Sequence, residues 1–125
     1  GYVILENHIH LLVQADRLSE EIARFKSFTA RQLIDYLQEH RAENVLKQLS
    51  FSRKNHKNDR SYQFWQEGSH PQVVENYDIL RQKLEYIHRN PVQRGYVDEP
   101  VHWRYSSARN YAAMEGLIPV YTDWF

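Results

Sequence analysis

An α+β fold, an antiparallel sheet with helices packed on one face, is what the order of patterns along this chain predicts. Three observations carry that reading. Tyr2 to Leu5 is a short apolar, β-branched and aromatic run, and His8 to Gln14 opens with polar and apolar residues in alternation, so both read as strands. Leu18, Ile22, Phe25, Thr29, Leu33 and Leu37, apolar but for the threonine, recur every three or four positions. A second strand-then-helix pattern follows a basic loop, so the order is strand pair, helix, strand pair, helix.

The first two strands read as one long strand or as a hairpin about Glu6-Asn7, and Asn7 favours the hairpin because asparagine tolerates positive φ in tight turns. Ser19 is the expected N-cap of the first helix, with Glu20 and Glu21 in its first turn, where negative charge suits the helix dipole. That helix runs to about Glu39, and its other face carries Arg24, Lys26, Ser27 and Arg31. A short helix is expected from Ala42 to Leu49. Tyr62 to Gln66 reads as a strand, Glu67-Gly68-Ser69 as a turn and His70 to Glu75 as a return strand, with Pro71 at an edge or end. Asn76 caps the next helix, whose buried stripe is Tyr77, Leu80, Leu84 and Ile87. Pro91 is expected to stop it, because its ring restricts the preceding residue and removes a donor. Gly95 and Pro100 punctuate a loop, and Ser106 to Met114 reads as a short helix.

At 125 residues, with 42% apolar and 14% aromatic residues, the chain is long enough for one folded domain, residues 1–125, and too apolar for general disorder. No apolar run approaches the roughly 20 residues of a membrane span, so a membrane partner is not expected. With no cysteine there are no disulfides and no thiolate ligands, which fits a reducing cytoplasm. Any metal must therefore use histidine, carboxylate, amide or water. Sixteen basic and sixteen acidic side chains cancel, so distribution matters more than net charge. Residues 50–61 form a basic, flexible loop in which Arg53, Lys54, Lys57 and Arg60 surround His56, a solvated loop or an arm that touches phosphates.

The chemistry starts at Asn7-His8-Ile9-His10. Successive strand side chains point to opposite faces, so His8 and His10 share one, about 7 Å apart at a rise of about 3.3 Å per residue. Two imidazoles so placed can converge on one cation, although an isolated pair also suits a solvated strand face. On the later helix, Tyr86 lies off the buried stripe and shares its face with Lys83 one turn before and with Arg89 and Asn90 one turn after. A phenol among cations and an amide is a plausible nucleophile for a phosphate, yet this chain has nine tyrosines and most helical tyrosines pack.

Six blocks then form an ordered series: Tyr2 to Leu12, Phe25-Lys26-Ser27-Phe28-Thr29-Ala30, Phe64-Trp65-Gln66-Glu67-Gly68, Tyr86-Ile87-His88-Arg89-Asn90-Pro91-Val92, Arg94-Gly95-Tyr96-Val97 and Tyr105-Ser106-Ser107-Ala108. In that order they resemble the single-tyrosine transposases of the HUH superfamily, above all the REP-associated tyrosine transposases and their insertion-sequence relatives. The resemblance implies a ferredoxin-like or RRM-like two-layer sandwich. Since the family usually carries one more strand and helix before the histidine block, it also implies that a first strand and helix are missing before Gly1. By the resemblance, His8 and His10 hold a divalent cation, Mg²⁺ or Mn²⁺, with Asn90 as third ligand, and Tyr86 is the nucleophile. The block with Lys26 resembles a DNA-contacting helix; with Arg31, Arg53, Lys54, Lys57, Lys83 and Arg89 it makes the expected nucleic-acid-binding set.

Implied, then, is a bacterial enzyme that cleaves single-stranded or hairpin DNA through a 5′-phosphotyrosine and rejoins strands without ATP, in a monomer or a homodimer. His88 is a conjectured proton relay, and His70 a spare ligand. Trp65, Tyr62 and Trp103 are stacking candidates, although core packing suits each of them better. Two rivals stay open: a metal-dependent nuclease that activates water, with Tyr86 only packing, and a catalytically inactive DNA-binding remnant.

Overall fold

A hairpin and one long helix make the frame that positions the histidines. The structure, a computed structural model, describes residues 1–53 and 61–124; Lys54, His56, Lys57 and Arg60 of the basic loop lie outside them. The chain divides into two compact units, Gly1–Gln14 with Gln72–Phe125, and Ala15–Pro71.

In the first unit, β1 (Tyr2–Ile4) pairs antiparallel with β2 (Ile9–Leu11) in the register Tyr2↔Leu11, Val3↔His10, Ile4↔Ile9. The expected hairpin about Glu6-Asn7 is present, closed by the Leu5 N–H donating to the His8 carbonyl at 2.9 Å. Asn7 does not take the positive φ expected of it: among the described residues other than glycine, only Arg41 and Ala113 do. Tyr105 to Ser107 runs along the free side of β1, with the Ile4 N–H on the Tyr105 carbonyl, the Ser107 N–H on the Tyr2 carbonyl and an antiparallel bridge Val3↔Ser106. This pairing claims Ser106 and Ser107 for extended backbone, so the helix expected from Ser106 starts later. It is α4, Ala108–Tyr111, preceded by an unanticipated 3₁₀ turn at Pro100–His102.

The helix α3 spans Tyr77–Gln93 and begins as expected, with Asn76 Oδ1 accepting from the Ile79 N–H at 3.0 Å. Leu80, Leu84 and Ile87 are buried, whereas Tyr77, at 67% exposed, is outside the stripe to which it was assigned. Pro91 does not stop α3; it sits inside the helix, fully buried. Its packing outweighs the lost N–H, and the helix ends one turn later. There Gly95 adopts φ 74°, the Gly95 N–H bonds the Val92 carbonyl and the Tyr96 N–H reaches back to the Pro91 carbonyl at 3.0 Å. That pair of bonds is a Schellman cap, which needs a left-handed residue at Gly95. A Cβ there meets nothing within 4 Å, so Gly95→Ala is expected to lose only conformational energy, about 1 kcal/mol, read as a lower urea midpoint. Ile87 on α3 packs with Val3 and Leu5 as the core cluster, flanked by Leu12 and Trp103.

In the second unit, α1 (Leu18–Glu39) and α2 (Glu43–Phe51) form where helices were expected. Ser19 lies inside α1 rather than capping it: the Arg17 carbonyl accepts from the Glu20 and Glu21 N–H groups, and the Arg17 side chain bonds Glu20 Oε1. The second expected strand pair, Tyr62 to Gln66 and His70 to Glu75, is absent; both stretches are irregular. Several polar groups of the first stretch and the turn after it bond elsewhere. The Gln63 N–H donates to the Leu49 carbonyl, Trp65 Nε1 to Thr29 Oγ1 at 2.9 Å, and Lys26 Nζ to the Gln66 and Gly68 carbonyls at 3.0 and 2.9 Å. These bonds fold the segment onto α1 and leave no ladder for a hairpin. The fold remains α+β, with a two-stranded antiparallel sheet among the described residues.

Candidate active site

Opposed residues of an antiparallel pair point to the same side, so Val3↔His10 puts the imidazole on the face of the fully buried Val3. The histidines therefore lie on the face of Val3, half-buried, while on the other face Ile4 and Leu11 are exposed, Ile9 is half-buried and Tyr2 is buried. The two rings stand edge to face, centroids 5.0 Å apart at 87°.

Asn7 Oδ1 lies 2.6 Å from His8 Nδ1. An amide oxygen is only an acceptor, so His8 Nδ1 donates to it and Nε2 is the ring nitrogen left without this contact. Burial lowers the His10 pKa, with the charges of His8 and Arg94 acting in the same direction. His10 is thus a neutral imidazole near pH 7, the form that can bind a cation.

From α3, two side chains one turn apart reach this pair. The Tyr86 ring lies 5.6 Å from that of His10 at 74°, and Tyr86 is 49% exposed, so the phenol is not a core residue. Asn90 is 6% exposed, with Nδ2 3.5 Å from His10 Nε2. The structure thus brings His8, His10, Tyr86 and Asn90 together. Among the described residues no group of three histidine, cysteine or carboxylate side chains could hold a metal ion. Two imidazoles and one amide oxygen, completed by water, form an open donor set that fits a hard divalent cation better than a closed zinc site.

Beyond Asn90 lies a chain of polar groups that the sequence reading missed. Arg94 Nε donates to Asn90 Oδ1 at 3.1 Å, Arg94 Nη1 to Glu6 Oε1 at 3.1 Å, and the Tyr96 hydroxyl to the same Glu6 oxygen at 2.7 Å. The Tyr96 hydroxyl first, then the Glu6 backbone N–H and the Arg94 charge, hold the Glu6 carboxyl below the usual carboxylate range. Arg94 follows Asn90 by four residues, a readable signal had the helix not been ended at Pro91.

The remaining candidates are dispersed. Lys83 donates to Gln72 Oε1 and Arg89 is exposed, both on α3. Lys26, tied to two carbonyls, Arg31, exposed on α1, and Arg53, half-buried after α2, belong to the second unit, as does the exposed His70. Trp65 and Trp103 spend their indole N–H groups on Thr29 and on the Ile4 carbonyl, and Trp103 flanks the core.

His88 is no relay to Tyr86 in this geometry: it is buried, with Nε2 2.8 Å from Ser107 Oγ. Burial, aided by the terminal ammonium, lowers its pKa to about 4. Because the folded value lies below the ordinary imidazole value, the neutral ring's contribution is complete above about pH 6.5 and is lost as pH falls toward 4. Allowing for residual solvent at the ring, that loss is on the order of 2 kcal/mol. Urea midpoints at pH 7 and pH 4.5 should therefore converge in His88→Gln and differ in the native chain.

No family model and no solved structure matches the chain. No helix among the described residues is long and apolar enough to cross a membrane. The chain is similar to a Haemophilus influenzae protein named "Putative REP-associated tyrosine transposase", 32% identical over 108 residues, a match that covers 83% of this chain and 54% of the relative. It spans about half the length of the curated relative it matches. That likeness supports the tyrosine-transposase family to which the six sequence blocks pointed.

Proposed function

We propose that the chain is the catalytic part of a metal-dependent tyrosine transposase of the HUH superfamily, with a ferredoxin-like ancestry to its sheet, acting on single-stranded or hairpin DNA. The single observation that carries this reading is the packing of a half-exposed phenol, Tyr86, edge-on to the desolvated imidazole of His10. The named relative points the same way.

Tyr86 is the nucleophile. Its Oη forms a bond to the scissile phosphorus as the bond from phosphorus to the 3′ oxygen breaks, and the phenolic proton is in net terms transferred to that departing oxygen. The 5′ end stays on Tyr86 as a phosphodiester, so a second 3′ hydroxyl can displace the phenol and rejoin strands with no other energy source. His8, His10 and Asn90 would hold Mg²⁺ or Mn²⁺. Such a cation, when bound, polarises the non-bridging oxygens of the phosphate. Lys83 and Arg89, on the Tyr86 side of α3, stabilise the attacking anion and the phosphate, while Lys26, Arg31, Arg53, Lys54 and Lys57 contact the DNA backbone.

The test is a radiolabelled hairpin with single-stranded flanks, incubated with the chain and Mn²⁺ and run on a denaturing gel. A covalent protein–DNA band that appears only with the cation supports the proposal. Cleavage with no covalent band assigns the reaction to water, and neither product marks a binding remnant.

A further inference from the structure

We infer that Arg94 competes with the divalent cation for the amide oxygen of Asn90, so that loading the site requires the amide to turn over and the guanidinium to let go. This rests on the reading of His8, His10 and Asn90 as ligands.

The argument is one of donors and acceptors. A guanidinium offers only N–H groups, so Arg94 Nε, 3.1 Å from Asn90, must face the oxygen of the amide. The amide nitrogen is thereby turned to His10 Nε2 at 3.5 Å. An amide nitrogen has no lone pair to give a metal ion. In this arrangement the side of Asn90 that meets the imidazole therefore cannot ligate, and the side that can ligate is held by a cation. The hold is organised from outside: Glu6 accepts from Arg94 Nη1, and the Tyr96 hydroxyl, 2.7 Å away, fixes that carboxylate. Glu6 accepts from both Tyr96 and Arg94, Arg94 also donates to Asn90 Oδ1, and the Asn90 N–H₂ faces His10, so each donor has an acceptor. Turning the amide over would set its N–H₂ against Arg94 Nε, two donors face to face. Arg94 must then release Asn90, which it can do cheaply because both Arg94 and Glu6 are open to solvent. Arg94 is a positioning residue by this account, and it keeps the Asn90 amide oxygen turned away from His10.

Mn²⁺ alone is the probe, with affinity measured by calorimetry or by the loss of free-ion paramagnetic signal on the full 125-residue chain. Arg94→Gln should tighten Mn²⁺ binding on the order of tenfold, since it frees the amide oxygen from a charge-assisted bond. Removing a positive charge tightens binding through space as well, so the comparison is repeated with Asn90→Ala. There the gain from Arg94→Gln should shrink to less than about twofold, because only the through-space part remains. An equal gain in both backgrounds, or weaker binding in Arg94→Gln, overturns the competition. Arg94→Met, with a similar stem, replaces the glutamine variant should that one lose its circular dichroism, and must give the same pattern. If Mn²⁺ binds and His10→Ala abolishes binding, yet Arg94 variants bind as the native chain does, the competition fails and the ligand reading stands. Binding indifferent to His8→Ala and His10→Ala removes both.

Discussion

Tyr86→Phe is expected to abolish the covalent protein–DNA band, with strand cleavage reduced by at least about 10³-fold, because in the proposed reaction the substitution removes the one atom that forms the new bond to phosphorus. The change is a clean one. Tyr86 is half-exposed, so loss of its hydroxyl opens no cavity, and the ring can keep its edge-on contact with His10. Circular dichroism and Mn²⁺ affinity should therefore match the native chain while the product disappears. Full hydrolysis by Tyr86→Phe would hand the reaction to a water molecule and reduce the phenol to packing. Had Tyr86 lain on the buried stripe with Leu84 and Ile87, the same substitution would have mixed a stability effect with a chemical one.

The second large effect is on stability and reaches the site indirectly. Ile87→Ala should cost about 2–4 kcal/mol, since Ile87 is buried against Val3 and Leu5 in a core that has few other members to take up the space. A urea melt measures the loss as a lower midpoint with an unchanged slope. Ile87 neighbours Tyr86 on α3 and Val3 is opposite His10 in the hairpin, so this contact helps set the distance between the phenol and the imidazole. In conditions where Ile87→Ala is still folded, adduct formation should fall more than folded fraction does, because small displacements of a reacting group are costly.

Much of the site was legible in the sequence for a simple reason. Both of its halves use strict local geometry: alternation in a strand gives His8 and His10 one face, and one helical turn brings Tyr86 to Asn90. What alternation alone could not give was the side of the sheet that α3 covers. Apolar Ile9 and Leu11 suggested that the histidines faced water, whereas Val3 and Leu5 take the core and bring the imidazoles with them. Propensity failed where tertiary bonds outbid it. Tyr62 to Glu75 looks like a hairpin, but Lys26, Thr29 and Leu49 engage its backbone and indole first. Pro91 looked like a stop, but its burial carries α3 on to the Gly95 cap, and with that extra turn comes Arg94. The polar chain from Tyr96 to His10 joins residues from two distant segments, and no local pattern announces it.

The first unit is assembled from both ends of the chain, with residues 15–71 leaving and returning between its parts. Helix α3 can begin to wind from its own neighbours, but the imidazoles meet the phenol only after a long stretch of polypeptide has been closed into a ring, whose entropy grows with its length. Contacts so distant in sequence are won late and slowly during folding. The proposed site therefore forms with the last docking event, and a half-folded chain does not bring the phenol to the imidazoles.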